Sequence, residues 1–305
     1  NALNIAAEQF RAYMELDSVE MAHDAAYKLA KISHLKGDYQ NAITNYNIFL
    51  SEYEEVDTTL SHKALFDIAS ASWVLSADVE SIVDSVSRLG TDVNSPFSDH
   101  APYVQDDELL YSSFRFKMED DALNRYQAKI LKGNNALPLS VESAGQFPSN
   151  CSFTENGQLM FYTLCRYKDN SDIECEIYYS TVNPDSTFSK PKKLPELINN
   201  TGYTTTHPNV CVIDSVNTLF YSSNRPGSLG KRDIWKTTFN DRMVFTNPVN
   251  IKIANSEGDD ITPFFHEGSN MLYFSTNGRY GYGGYDLFRL EDPSDREAIV
   301  ENMGD

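Results

Sequence analysis

Positive charge is scarce in this chain of 305 residues: 25 Lys and Arg stand against 44 Asp and Glu, for a formal charge of −19. A field of that sign repels phosphate backbones, so nucleic acid is excluded as the expected partner. Long apolar runs are missing too. None approaches the roughly 20 residues that cross a bilayer as a helix, and no transmembrane segment is expected. No charged region, apolar stretch and cleavage site open the chain. The first residues already read as the middle of a helical repeat, so the true N-terminus is expected upstream of Asn1.

Histidines are few and scattered: His23, His34, His62, His100, His207 and His266 pair with no obvious nucleophile. They are read as packing or surface residues. No G-x-S-x-G elbow and no phosphate-cradling loop occur. The run Gly281-Tyr282-Gly283-Gly284 lies between two expected strands instead of opening a helix, so turn geometry explains it. Glu257, Asp259 and Asp260 lack the spacing of a calcium loop. No catalytic residue, metal site or cofactor is therefore expected, and the reading is of a chain that is not an enzyme.

What is present is a hydrophobic share of 41%, with 18 Tyr and 17 Phe, on a length that suits two domains with their own cores. From Leu3 to Leu75 apolar residues recur at helical spacing. Ala26, Leu29 and Ala30 share one helix face, Gly37-Asp38-Tyr39 breaks it, and Ala42, Tyr46, Phe49 and Leu50 follow on a second helix. Phe10 and Tyr46 lie 36 residues apart. Small residues at the helix crossing, a glycine turn and aromatics in the second helix resemble the tetratricopeptide repeat, whose period is about 34. Residues 1–78 are read as such helical repeats.

Beyond residue 92 the texture changes to alternating aromatic and polar residues cut by turn formers. Four segments share one plan: a proline-containing strand, an aromatic strand ending in hydroxyls, a polar loop, and a strand that opens on an acidic or amide residue. Their aromatic anchors Tyr111, Tyr162, Tyr221 and Phe274 are spaced by 51, 59 and 53 residues. Third strands are placed at Asn124-Arg125-Tyr126, Glu176-Ile177-Tyr178, Asp233-Ile234-Trp235 and Asp286-Leu287-Phe288. A unit of that length in series reads as a propeller blade. The run from Tyr221 to Gly227 followed by Asp233 resembles the PD40, or WD40-like TolB-type, propeller repeat. The expected fold class is α+β multidomain, helical repeats followed by an all-β propeller with four blades visible and five or more in the full ring.

Residues 98–305 are assigned to those blades, and residues 79–97 to a linker or a ring-closing strand centred on Val86 to Gly90, which looks like Val300 to Gly304. Asp233, Asp286 and Glu176 are expected to hold turns, with Trp235, Phe288 and Tyr178 as their aromatic followers. Cys165 and Cys175 flank one loop and are candidates for a disulfide, which implies an oxidising compartment. Cys151 and Cys211, each three residues past a blade proline, are expected to be buried thiols at similar positions.

Repeats followed by such a propeller resemble envelope proteins of Bacteroidota, including the PorE-type component of the type IX secretion system. That resemblance implies a periplasmic, outer-membrane-associated, non-catalytic scaffold of a secretion or gliding-motility assembly. Its implied partners are other envelope proteins, and peptidoglycan through a domain outside this sequence. Arg225, Lys231, Arg232, Tyr280 and Tyr282 are the contact candidates. The alternative is a propeller accessory to an enzyme, or a glycan- or peptidoglycan-binding module.

Overall fold

The computed structural model describes residues 2–15, 19–53, 58–77, 87–119, 121–168, 172–295 and 297–304. The chain divides into two units: Asn1–Asp84 with Thr276–Leu287 and Asn302–Asp305, and Ser85–Ser275 with Phe288–Glu301.

The described residues of the first unit form four helices, α1 (Ala2–Met14), α2 (Val19–Leu35), α3 (Tyr39–Tyr53) and α4 (Thr58–Ser76). Its core follows the apolar periodicity: Ala26, Tyr27 and Ala30 of α2 meet Ala42, Tyr46 and Phe49 of α3 and Ala64 of α4. The alanines let the helices approach while the aromatic rings fill the remaining volume. Helix α2 ends because Gly37 takes φ +73°, with its N–H donating to His34 O (2.9 Å) and that of Asp38 to Ser33 O (3.0 Å). That pair of bonds closes a helix on a left-handed residue, which glycine adopts without strain. The buried Asp67 carboxylate of α4 accepts from Tyr27 Oη (2.8 Å) and Lys31 Nζ (3.2 Å). The segment 276–287 is part of this unit. Gly281 N donates to Ser70 Oγ (3.0 Å), the Tyr280 ring lies 5.5 Å from Phe66, and that of Tyr282 lies 6.0 Å from Trp73.

Among the described residues sixteen strands form four sheets of four, the blades of a propeller. Blade one is β1 (Asp99–Gln105), β2 (Glu108–Lys117), β3 (Tyr126–Lys132) and β4 (Asn135–Ala136). Blade two is β5 (Phe147–Phe153), β6 (Leu159–Tyr167), β7 (Ile173–Thr181) and β8 (Lys192–Lys193). Blade three is β9 (Thr205–Ile213), β10 (Val216–Ser223), β11 (Asp233–Thr238) and β12 (Val249–Asn250). Blade four is β13 (Asp260–His266), β14 (Met271–Thr276), β15 (Asp286–Glu291) and β16 (Val300–Asn302). Each sheet runs in sequence order. The first strands pack in series, β1 on β5, β5 on β9 and β9 on β13. Between successive blades lie three apolar layers, centred on Tyr162, on Tyr221 and on Phe274.

Every first strand carries one residue in the left-handed region: Ala101, Asn150, His207 and Thr262, at φ +52°, +49°, +53° and +53°. In the first three blades the pairing with the second strand slips there, as in a β-bulge. This marker corrects the sequence alignment of blade two. Cys151, not Pro148, stands where the other blades have Pro102, Pro208 and Pro263, because the bulge and not the proline is what repeats. Cys151 and Cys211 are consequently at unlike positions, although both are buried free thiols pushed up to about 12 by burial.

The third strand of blade one is also corrected. Ser113 pairs with Lys129 as Ser223 pairs with Asp233, so Lys129-Ile130-Leu131 replaces Asn124-Arg125-Tyr126 in the repeat. Ser87 to Gly90 form no strand, and most of the rest of the proposed closing segment lies outside the described residues.

Candidate functional site

The expected turn acids divide. Asp233 accepts from the backbone N–H of Leu229 (2.7 Å) and Gly230 (3.1 Å) and from Asn250 Nδ2 (2.6 Å). A side chain on Gly230 would strike Ser256 O and Gly258 O, so the loop can close only around a glycine there. Asp286 holds the N–H groups of Tyr282 (2.9 Å) and Gly283 (3.3 Å) in the same manner. Glu176 instead pairs with Lys193 Nζ (2.6 Å). The β6–β7 ladder extends past it to Tyr167 and Ile173, leaving no turn within its reach. Cys165 and Cys175 face each other in that ladder and are disulfide-bonded. Tyr178 is buried and donates to Glu142 Oε2 (2.6 Å), and Trp235 and Phe288 are buried in the layers between blades.

The contact candidates are engaged within their own units. Arg225 lies over the Trp235 ring (5.1 Å) and donates to Leu197 O (3.0 Å) and Tyr221 Oη (2.9 Å). Arg232 pairs with Asp259 (2.6 Å), and the Lys231 N–H donates to Gly258 O (2.9 Å). Tyr280 and Tyr282 belong to the first unit, on the rings of α4 described above.

A polar cluster instead collects on the first strands, which line the axis of a propeller. His100 Nε2 faces Ser149 Oγ at 3.0 Å, and Asn150 Nδ2 donates to Thr206 Oγ1 at 3.3 Å. The Asn150 N–H donates to Ser112 Oγ (2.9 Å), and Thr262 Oγ1 donates to Ser275 Oγ (3.0 Å). Buried Asn150 Oδ1 and His207 Nδ1 have no hydrogen-bond partner among the described residues. Burial pushes His207 down to about 3, helped by the charges of Arg232 and His100 and opposed by Asp259. Burial also holds His100 below its ordinary value. Near pH 7 both rings are therefore neutral, each with one donor and one acceptor nitrogen. Asp99 is committed elsewhere: burial raises it, but hydrogen bonds from Ser113, Ser95 and Arg115 outweigh that and hold it well below the usual carboxylate range.

Sequence reasoning set these histidines aside as packing residues. The available signal was that Asn150 and His207 fall at or beside the proline-containing segment of successive repeats.

No protein-family model and no curated protein matches the chain. Among solved structures, a thermostable family-43 glycoside hydrolase is similar at 10% identity and TM-score 0.40, over 67% of this chain and 73% of its own. An α-L-arabinofuranosidase from Lactobacillus brevis is similar at 13% and 0.41, over 67% and 72%. A putative TolB from Agrobacterium tumefaciens is similar at 13% and 0.38, over 64% and 60%. At these values the likeness is one of fold alone. The expectation of a non-catalytic secretion or motility scaffold, and of a chain that is not an enzyme, is nevertheless corrected here. Proteins named as glycoside hydrolases recur among the neighbours.

Proposed function

We propose that the propeller unit recognises a neutral glycan at its axis, within a carbohydrate-active protein of the cell envelope. One observation carries this reading: three successive blades supply His100, Ser149, Asn150, Thr206 and His207 as a contiguous polar set, with buried hydrogen-bonding capacity left over on Asn150 and His207. Buried polar atoms are normally paired, so unspent capacity points to a hydrogen-bonding partner that the protein does not supply. The set has no net charge, because both imidazoles are neutral and Arg232 is matched by Asp259. Sugar hydroxyls, which donate and accept without charge, complement such groups.

The Cys165–Cys175 disulfide supports an oxidising, extracytoplasmic setting. The helices of the first unit are read as tetratricopeptide-like, on the strength of the alanine and aromatic positions in their core.

Titration calorimetry with neutral arabino-, xylo- and galacto-oligosaccharides and with cell-wall fragments tests the proposal, and the same samples are assayed for hydrolysis. Binding is expected to weaken at least about tenfold in Asn150→Ala and His207→Ala, since each removes a hydrogen bond worth roughly 1.5 kcal/mol. Binding that is absent across the panel, or that is indifferent to both substitutions, overturns it.

A further inference from the structure

Two large rings stand on blade one at positions where other blades place glycine. The turn that enters blade one is built like the turn that enters blade four. Asp99 accepts from Ser95 N (2.5 Å) and Ser95 Oγ (2.8 Å), and Asp260 accepts from Ser256 N (2.7 Å) and Ser256 Oγ (3.0 Å). The serine hydroxyl in turn accepts the N–H two residues on, that of Phe97 (3.1 Å) in one turn and of Gly258 (3.2 Å) in the other. On the loop before the third strand, Tyr126 precedes Lys129 by three residues as Gly230 precedes Asp233, and Lys129 and Asp233 hold the same register. The repeat therefore asks for no side chain at either position.

Neither ring serves the core. Phe97 is 42% and Tyr126 40% exposed, and their centroids lie 4.8 Å apart. The backbone that carries Tyr126 is nevertheless fixed. Tyr167 Oη donates to Tyr126 O (2.6 Å), and Arg125 lies over the Tyr167 ring (4.4 Å). Asp121 accepts from the Arg125 N–H (2.7 Å) and from its guanidinium (2.7 Å), which matches that charge. Tyr126 opens β3 and His100 lies near the start of β1, so both stand at the end of blade one where β2 finishes. Ring contacts run on from Tyr167 to Phe147 (5.7 Å), from there to Phe114 (5.6 Å), and from Phe114 to His100 (5.6 Å) in the axial set.

We propose that Phe97 and Tyr126 form an outer stacking platform of the axial glycan site, so that the ligand is an extended neutral polysaccharide chain whose outer sugar units lie on these rings. This rests on the reading of the axis given above. A pyranose presents C–H bonds on one face, apolar and slightly positive, and the negative face of an aromatic ring complements them. A platform that is already held in place loses little freedom when the chain binds. With a formal charge of −19 on the protein and Arg125 committed to Asp121, an acidic chain meets repulsion there and an uncharged one does not.

Calorimetry with arabino-, xylo- and galacto-oligosaccharides, each from disaccharide to hexasaccharide, tests the platform. Affinity of the parent chain is expected to rise at least about fivefold with length, and the Phe97→Ala, Tyr126→Ala double variant to bring the hexasaccharide down to the disaccharide's affinity. Tyr126→Phe keeps the ring and should keep the rise. Asn150→Ala, by contrast, should weaken every length, which separates the two readings. Binding that depends on Asn150 but is indifferent to length and to both rings refutes the platform alone, whereas binding absent at every length refutes the platform together with the axis. Sedimentation decides the competing occupant: a dimer of the parent that the double variant returns to monomer assigns the rings to a second copy and overturns the proposal.

Discussion

At the scale of single residues, blades two and three use an asparagine where a fourth strand would run on. Asn199 Oδ1 accepts from Ile177 N (2.8 Å) while its Nδ2 donates to Ile177 O (2.8 Å), and Asn255 does the same for Ile234 (2.7 and 3.0 Å). One side-chain amide thus replaces a pair of ladder bonds on a wholly buried residue. Asn255→Ala would leave the buried Ile234 N–H unmet, while the Ile234 carbonyl keeps only its bond from Ile251 N (3.0 Å), and a loss of about 2 kcal/mol is expected in urea unfolding. Asn255→Asp should be comparably harmful, since it keeps the acceptor for Ile234 N but sets a buried carboxylate oxygen against the Ile234 carbonyl oxygen. His207 sets a pH dependence of determinable sign. Its folded value of about 3 lies below the unfolded value near 6.5, so the unfolded chain binds the proton first. Stability from His207 is complete above pH 6.5 and is lost as pH falls through the window toward 3. The urea midpoint of His207→Gln is therefore expected to fall less steeply across that window than that of the parent, which a pH series of unfolding curves checks.

At the scale of elements, the β6–β7 hairpin is the clearest lever. Its two cysteines are separated by 10 positions, and the bond between them restricts the unfolded chain. Loop-closure entropy for so short a loop is about 3 kcal/mol, so the Cys165→Ser, Cys175→Ser double variant should lose up to that amount in chemical unfolding. A reductant should do the same to the parent and nothing to the variant. The four blades were legible in the sequence because the aromatic second strands recur and end in hydroxyls, a pattern that burial on both faces enforces. What misled was the proline. It marks the bulge in three blades, but in blade two it precedes Asn150 by two residues, and a backbone dihedral leaves no residue-type signature when Ala, Asn, His and Thr all adopt it. The weak first blade failed for a related reason. With Lys129 in the place of Asp233, nothing acidic announced its third strand, and the nearest amide, Asn124, drew the reading five residues early. The axial cluster was not legible, because its members lie tens of residues apart in sequence and become neighbours only when first strands pack side by side.

At the scale of the whole molecule, the charge of −19 constrains what the axis can attract. A negative field falls off over a Debye length, about 10 Å at 0.1 M salt, so an anionic ligand would meet repulsion that salt relieves. A cationic ligand would show the reverse trend. A neutral glycan held by His100, Asn150 and His207 should feel neither, because the groups that touch it carry no net charge in the native state. Affinity measured by calorimetry is therefore expected to stay constant within about twofold from about 50 mM to about 500 mM sodium chloride at pH 7. Affinity that rises steeply with salt would identify an acidic saccharide working against the field, and affinity that falls would move the contact to the exposed carboxylates. Lowering the pH toward 4 at fixed salt separates the cases further. Burial holds His100 below its ordinary value and His207 down to about 3, so binding through His207 should persist well below pH 6.5, whereas a site built on ordinary histidines would weaken through that range.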